Sequence, residues 1–154
     1  SKKLCKTGHN HCSSGSNTAR FLSKMGQIMT KTRLITTLSA TYGLFAVVLG
    51  AFGAHALEAR LEASGTHEVW KTAVDYQMWH ALALLFLAIA PVRSRATEWA
   101  AGCFCLGVAL FSGSLYGLAL DGPRWLGPIT PLGGLSLIIG WALLILTAVR
   151  SSDE

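Results

Sequence analysis

The sequence predicts an all-α membrane protein, a four-transmembrane-helix antiparallel bundle with short loops. Of its 154 residues, 51% are hydrophobic and 14% are charged, and the mean hydropathy is +0.44. A water-soluble domain typically carries about 25% charged residues, so this chain has too little polar surface to cover a globule. Its apolar residues form four long runs, and about 20 apolar residues cross the hydrocarbon core as a helix. Backbone polar groups in lipid must be satisfied within their own segment, so helices are expected rather than strands.

The four predicted spans cover residues of about 34–57, 70–92, 99–120 and 128–149. The first contains no charged residue, and the second reaches a spanning length only if residues 70–75 continue its helix outward. Helix breakers mark the connections, at Pro91, Gly122, Pro123, Pro128 and Pro131. Because the connections are short, successive helices are expected to run antiparallel.

Residues 1–28 are predicted to be a disordered, basic N-terminal extension, residues 29–150 the transmembrane domain, and residues 151–154 a C-terminal tail. The formal net charge is +5, and the first acidic residue is Glu58, so the positive charge belongs to the extension. A charge placed there does not indicate a nucleic-acid surface, and no nucleic-acid partner is expected. An organelle transit peptide is the alternative interpretation of this acid-free segment. In it, Cys5 and Cys12 with two histidines match no common zinc pattern.

Basic residues near the span ends predict the orientation. One side carries Lys24, Lys31, Arg33, Arg93, Arg95 and Arg150, and the other carries Arg60, Lys71 and Arg124. Both termini are therefore expected in the cytoplasm. The expected location is the bacterial cytoplasmic (inner) membrane, or a mitochondrial membrane in a eukaryote.

Several polar side chains fall on the outer halves of the predicted spans and are candidates for ligand binding. They are His55, Tyr76, Gln77, His80, Ser112, Ser114, Tyr116 and Thr130. At about 100° per residue, Tyr76, Gln77 and His80 lie within about 100° of one another and share a helix face. That face is expected to point into the bundle.

The two histidines, His55 and His80, admit two interpretations. Imidazole titrates near neutral pH and binds metals, so the pair could handle protons or hold a metal. Alternatively, each histidine makes a hydrogen bond that fixes helix packing, which is the favoured interpretation. No carboxylate or cysteine completes a coordination set, so no metal site or cofactor is predicted. No nucleophile or carboxylate pair is complete either, so no enzymatic activity is expected.

Glycines in the spans are predicted to let helix backbones approach closely, because van der Waals packing drives helix association in lipid. The predicted packing positions are Gly43, Gly50, Gly53, Gly113, Gly117, Gly133 and Gly140. Tight packing leaves little room for a channel.

Four sequence blocks resemble a known family. They are GAFGAHAL (50–57), TAVDYQMWHALALL (72–85), LFSGSLYGLAL (110–120) and ITPLGGLSLIIGW (129–141). Together they are similar to the family catalogued as domain of unknown function 423, to which animal transmembrane protein 256 also belongs. The resemblance covers residues of about 29–150 and implies a small four-span membrane protein without an established reaction.

Two functional hypotheses follow. The first is a packing and interaction component whose partners are the lipid bilayer and a second copy of the chain or other membrane proteins. The second is an outer-leaflet binding or transport module, in which the His/Tyr/Gln cluster holds a lipid, a quinone or a small solute.

Overall fold

The structure, a computed structural model, describes residues 13–90 and 94–150, with side chains from residue 18 onward. Within these ranges the chain is helical apart from short turns. The helices are α1 (Ser13–Ala54), α2 (Glu58–Ala63), α3 (His67–Ile89), α4 (Arg95–Ala119) and α5 (Ile129–Arg150), with a 3₁₀ turn (Arg124–Leu126) before α5. Four of them, α1, α3, α4 and α5, are long and apolar enough to cross a membrane. The predicted four-span, all-α fold is confirmed.

Helix α1 is longer than the predicted first span, because it begins at Ser13 and runs for 42 residues. At a rise of about 1.5 Å per residue it is about 63 Å long, roughly twice the hydrocarbon thickness of a bilayer. Helix α1 thus includes residues 13–28, which were predicted to be a disordered extension, while residues 1–12 lie outside the described part. No proline interrupts this stretch, and Gly26 costs a helix only about 1 kcal/mol relative to alanine.

The connection from α1 to α3 is compact. Helix α1 ends at Ala54 rather than at residue 57, because the Leu57 N–H donates to the Phe52 carbonyl at 2.9 Å and closes a turn. After α2, Gly65 has a φ of +67°, a conformation that favours glycine because it has no Cβ. The Thr66 hydroxyl then donates to the Ala119 carbonyl at 2.9 Å, which ties this connection to the end of α4.

Helix α4 has a well-defined start. The Ser94 side chain accepts from the Thr97 N–H at 3.2 Å, and the Thr97 hydroxyl oxygen accepts from the Ser94 N–H at 2.9 Å. This reciprocal capping box satisfies two backbone donors that the first helical turn leaves free. It places the start of α4 at Arg95, a few residues before the predicted span.

The four spanning helices pack in the order α1, α3, α4, α5, so that α3 and α4 are central. The Lys31 Nζ lies 2.6 Å from Glu98 Oε1, which joins α1 to the first turn of α4. At the other end, Arg60 lies 3.6 Å from Asp121, which joins the connection after α1 to the connection after α4. These two pairs show that α1 and α4 run in the same direction, as the predicted alternation of spans requires.

Buried residues of the three helices α3, α4 and α5 form the larger apolar cluster. Its large side chains include Leu84, Phe104, Val108 and Leu137, all at most 3% exposed. A smaller cluster around Trp70 joins α2, α3 and the end of α4. The outward surfaces of α1 and α5 keep large apolar side chains exposed, as lipid-facing helices require.

Several glycines lie where another helix approaches closely. A methyl group on Gly133 would overlap the backbone of Phe111, and one on Gly53 would overlap the Trp70 ring. A methyl group on Gly140 would lie 2.5 Å from Cε1 of Phe104. These three predicted packing positions therefore carry real contacts between helices.

Two of the other predicted packing glycines make contacts of a different kind. A methyl group on Gly50 would lie 3.4 Å from Val74, an acceptable contact between α1 and α3. A methyl group on Gly117 would lie 2.5 Å from Leu126 in the 3₁₀ turn. Gly117 therefore packs against a connection rather than against a helix.

Gly43 and Gly113, which were also predicted as packing positions, make no close contact with another part of the described chain. No described atom outside its own stretch of helix lies within 4 Å of a methyl group built on either residue. Gly107, which was not predicted, is the buried glycine of α4 and packs against Leu137. The reason is rotational: Gly107 and Gly113 lie about 120° apart around the helix axis, so both cannot face α5.

Candidate functional site

Tyr116 and Gln77, two of the candidate residues, belong to one hydrogen-bond chain that crosses three helices. The Tyr116 hydroxyl donates to Gln77 Oε1 at 3.0 Å, and Gln77 Nε2 donates to the Tyr42 carbonyl at 2.9 Å. The Tyr42 hydroxyl in turn donates to the Cys105 carbonyl at 2.9 Å. Gln77 is 4% exposed, so its amide is buried with a partner for its oxygen and one for its nitrogen. The chain ties α1, α3 and α4 together.

His80 has partners at both ring nitrogens. Its Nδ1 lies 2.8 Å from the Tyr76 carbonyl one turn earlier, and the Trp141 indole N–H donates to its Nε2 at 3.2 Å. Since Nε2 accepts a hydrogen bond, the ring proton is on Nδ1 and is donated to the carbonyl, and the imidazole is neutral. Tyr76 and Phe104 pack beside the imidazole, with ring centroids 6.0 and 5.3 Å away. His80 therefore connects α3 to α5 inside an aromatic cluster.

Ser114 and Thr130 connect α4 to the start of α5. Their hydroxyl oxygens lie 2.8 Å apart, and the Ser114 hydroxyl also lies 2.9 Å from the Phe111 carbonyl. Ser114 is 3% exposed. This pair lies next to the close approach of Gly133 to Phe111, so hydrogen bonding and packing reinforce the same contact.

His55 does not join the other candidates. It is exposed in the turn after α1, whereas His80 is 5% exposed near the middle of α3. The end of α1 contacts Trp70 through Gly53, and His80 lies about 15 Å further along α3 at about 1.5 Å per residue. The two histidines therefore do not form a pair, and His80 lies deeper in its span than the outer position expected from the sequence.

Ser112 is a buried candidate residue whose hydroxyl is unsatisfied. It is 1% exposed, and its hydroxyl has no hydrogen-bond partner among the described residues. A buried hydroxyl without a partner costs free energy, because nothing replaces the hydrogen bonds that it would otherwise make. Ser112 thus differs from Ser114, although both are buried serines of α4.

This orphan hydroxyl predicts that Ser112→Ala leaves the free energy of unfolding unchanged or raises it by up to about 1 kcal/mol, because alanine removes a buried group without a partner. Denaturation of the purified protein in detergent micelles measures the change. Ser39→Ala is the control, since the buried Ser39 hydroxyl donates to the Ala81 carbonyl at 2.8 Å. Its loss is expected to cost about 0.6 kcal/mol. Equal costs for the two variants would contradict the assignment.

Further residues that link the helices were not among the sequence candidates. Tyr42 and Trp141 complete the hydrogen bonds of Gln77 and His80, and the Trp70 indole N–H donates to the Leu49 carbonyl at 3.0 Å. Ser136 donates to the Cys103 carbonyl at 2.9 Å. A tyrosine or serine inside a charge-free span was the available signal, because its hydroxyl needs a partner in lipid.

The comparisons with known proteins agree with this architecture. The model of the family described as "Protein of unknown function (DUF423)" matches residues 49–134. A UPF0382 membrane protein of Staphylococcus haemolyticus is 44% identical over 119 residues, covering 77% of this chain and 97% of the relative. The chain belongs to this family.

Other members of the family occur in distant organisms. The UPF0382 inner membrane protein YgdD of Escherichia coli is 41% identical over 120 residues, covering 77% of this chain and 91% of the relative. A UPF0382 membrane protein of Schizosaccharomyces pombe is 38% identical over 116 residues, covering 72% of this chain and 98% of the relative. No solved structure matches the chain with statistical significance. The chain is thus an integral membrane protein of a family without an assigned biochemical function.

Proposed function

We propose that this protein is a packing and interaction component of the membrane, which associates through the outward face of α4 with a transmembrane helix of a second copy or of another membrane protein. The observation that carries the proposal is an open notch on that face. Gly102, Ala109 and Gly113 are exposed there, on either side of the exposed Leu106. At about 100° per residue these four positions lie within about 60° of one another.

Close contacts at glycines in the interior of the protein support this proposal. Where a glycine faces another helix, at Gly107, Gly133 and Gly140, the facing backbone or side chain fills the space. No described residue does so at Gly102 or Gly113. In lipid, small residues favour helix association because they permit close van der Waals contact. A helix from outside the chain would complete the same kind of contact at this face.

The polar candidates support an interaction role more than a ligand site. Gln77, His80, Ser114, Tyr116 and Thr130 are satisfied by partners within the chain. A ligand at these residues would first have to break those hydrogen bonds. The alternative, an outer-leaflet module for a lipid, quinone or small solute, therefore has weaker support, and the proposal includes no catalytic role.

The proposed location is the cytoplasmic membrane of a bacterium, or a mitochondrial membrane in a eukaryote, with both termini in the cytoplasm or the equivalent compartment. The larger number of Lys and Arg residues on the terminal side supports this orientation. The printed name of the Escherichia coli relative, an inner membrane protein, supports the location.

We expect Gly113→Leu to reduce association several-fold while leaving the stability of the isolated chain nearly unchanged, because leucine fills the notch and its Cβ meets no described atom outside its own stretch of helix. Native mass spectrometry of gently extracted membranes measures the mass of the assembly. Denaturation in micelles measures the stability.

Gly43→Leu on α1 is the matched control, because a side chain there also meets open space. It should leave association intact. The proposal fails if Gly113→Leu assembles like the wild type, or if Gly43→Leu disrupts the assembly equally. If the assembly of the Gly113→Leu variant lacks a mass equal to that of the chain, the partner is a second copy. If it lacks any other protein mass, the partner is a different membrane protein.

A further inference from the structure

The first part of α1 lies outside the membrane span. The ion pair between Lys31 and Glu98 is about half exposed, with side chains 53% and 49% accessible. Charged groups of this kind lie at the headgroup level rather than in hydrocarbon. The helix from Thr18 to Lys31 adds about 20 Å at about 1.5 Å per residue, all of it before this level.

This segment carries an apolar stripe. Phe21, Leu22, Met25 and Met29 lie within about 100° around the helix axis. Their side chains are 63%, 60%, 44% and 53% exposed. Beyond the hydrocarbon core, these side chains would face water if the helix stood upright, which is unfavourable for apolar surface.

A basic stripe lies beside the apolar one. Arg20 and Lys24 are exposed and lie about 40° apart around the axis, with Lys31 between them in angle. The chain has no acidic residue before Glu58, and neither Arg20 nor Lys24 forms an ion pair with a described residue. The segment therefore presents cationic charge beside apolar surface without local neutralisation.

We propose that residues 18–29 form an amphipathic anchor that lies along the membrane surface and binds anionic lipid headgroups. The apolar stripe enters the boundary between headgroups and acyl chains, and Arg20 and Lys24 contact phosphate groups. Charge complementarity selects this occupant, because a neutral surface would leave the cations without partners. The inference does not depend on the association proposed for α4.

Helix α1 has a place where it can turn from the span onto the surface. Thr30 and Thr32 donate their hydroxyls to the carbonyls of Gly26 and Ile28, at 2.9 and 2.8 Å. Such back-bonding by threonine often bends helices. These bonds cover residues 26–32, where the end of the apolar stripe meets the ion pair, and the anchor must leave the direction of the span in this segment.

The test is hydrogen–deuterium exchange of the full-length protein in two kinds of nanodisc, one of phosphatidylcholine and one of phosphatidylcholine with phosphatidylglycerol. We expect the amides of residues 18–29 to exchange several-fold more slowly in the anionic discs, and high salt to remove the difference. Arg20→Gln with Lys24→Gln should also remove it. Gln27→Ala is the matched control, because Gln27 is uncharged and lies about 20° from Arg20 around the helix axis, and it should keep the difference.

Equal exchange in both lipids overturns the proposal, and so does a lipid-dependent difference that survives the double substitution. The proposal is also overturned if residues 18–29 exchange slowly in native membranes but not in anionic discs, because that result indicates a protein partner for this segment. The α4 association is measured separately by assembly mass, so failure of one proposal is distinguishable from failure of the other.

Discussion

Replacing Gly133 with alanine is expected to destabilise the protein by about 1–3 kcal/mol, the range typical of overpacked cores. The added methyl group would lie 2.8 Å from Cα of Phe111 and closer still to its backbone nitrogen. Backbone atoms cannot move aside alone, so α5 must shift away from α4. That shift also weakens the hydrogen bond between Ser114 and Thr130. Equilibrium unfolding in micelles measures the loss.

The neighbouring glycine provides the matched control. A methyl group on Gly134 would lie 3.7 Å from the Phe111 ring, an ordinary van der Waals distance. Both substitutions gain similar helix propensity, about 1 kcal/mol in favour of alanine, so their difference isolates the clash. We expect Gly134→Ala to be neutral or stabilising. If the two variants unfold alike, the close approach of α4 and α5 at Gly133 is wrong.

Trp70→Ala is expected to cost about 3 kcal/mol, at the low end of the range for tryptophan in soluble cores. Trp70 is 4% exposed, fills the space beside Gly53 and contacts the Tyr116 ring at a centroid distance of 4.8 Å. Its indole N–H also donates to the Leu49 carbonyl. Because lipid solvates apolar groups well, the cost comes mainly from lost packing and the lost hydrogen bond.

Trp79 on the same helix is the control for Trp70. Its side chain is 57% exposed, and its ring lies 5.2 Å from that of Tyr76. We expect Trp79→Ala to cost less than about 1 kcal/mol, because surface substitutions have small effects. Unfolding of both variants, followed by loss of helical circular dichroism, compares them directly. A larger cost for Trp79→Ala would mean that α3 is rotated relative to the orientation described.

The number of spans followed from composition, because a lipid solvent imposes a strong requirement on helix length and polarity. The rotation of each helix about its own axis could not be predicted from the sequence. In a water-soluble bundle the polar face of each helix identifies its solvent-exposed side. A membrane-spanning helix that is apolar on all sides gives no such indication of which side faces its neighbours. The sequence gives no reason to prefer Gly113 over Gly107 as a packing position. Only the packing of the helices shows that Gly107 is buried and Gly113 is exposed.

The contacts of the polar candidate residues were also only partly predictable, because they depend on the rotation of the helices. Gln77 and Tyr116 could be assigned to one end of the bundle by counting residues, and they do form a hydrogen bond. The contact of His80 with Trp141 depends on the rotation of α5, which composition does not determine. His55 was separated from His80 because α1 ends at Ala54 and leaves it in a turn.

The order of helix packing bears on how the protein is made. Each outer helix makes its principal contact with its neighbour in the chain, α1 with α3 and α5 with α4. Two helical hairpins can therefore form in sequence as the chain emerges from the ribosome, the first before the second has been synthesised. The interface between α3 and α4 then joins two preformed halves. Each helix can therefore pack against its main neighbour as soon as that neighbour has been synthesised.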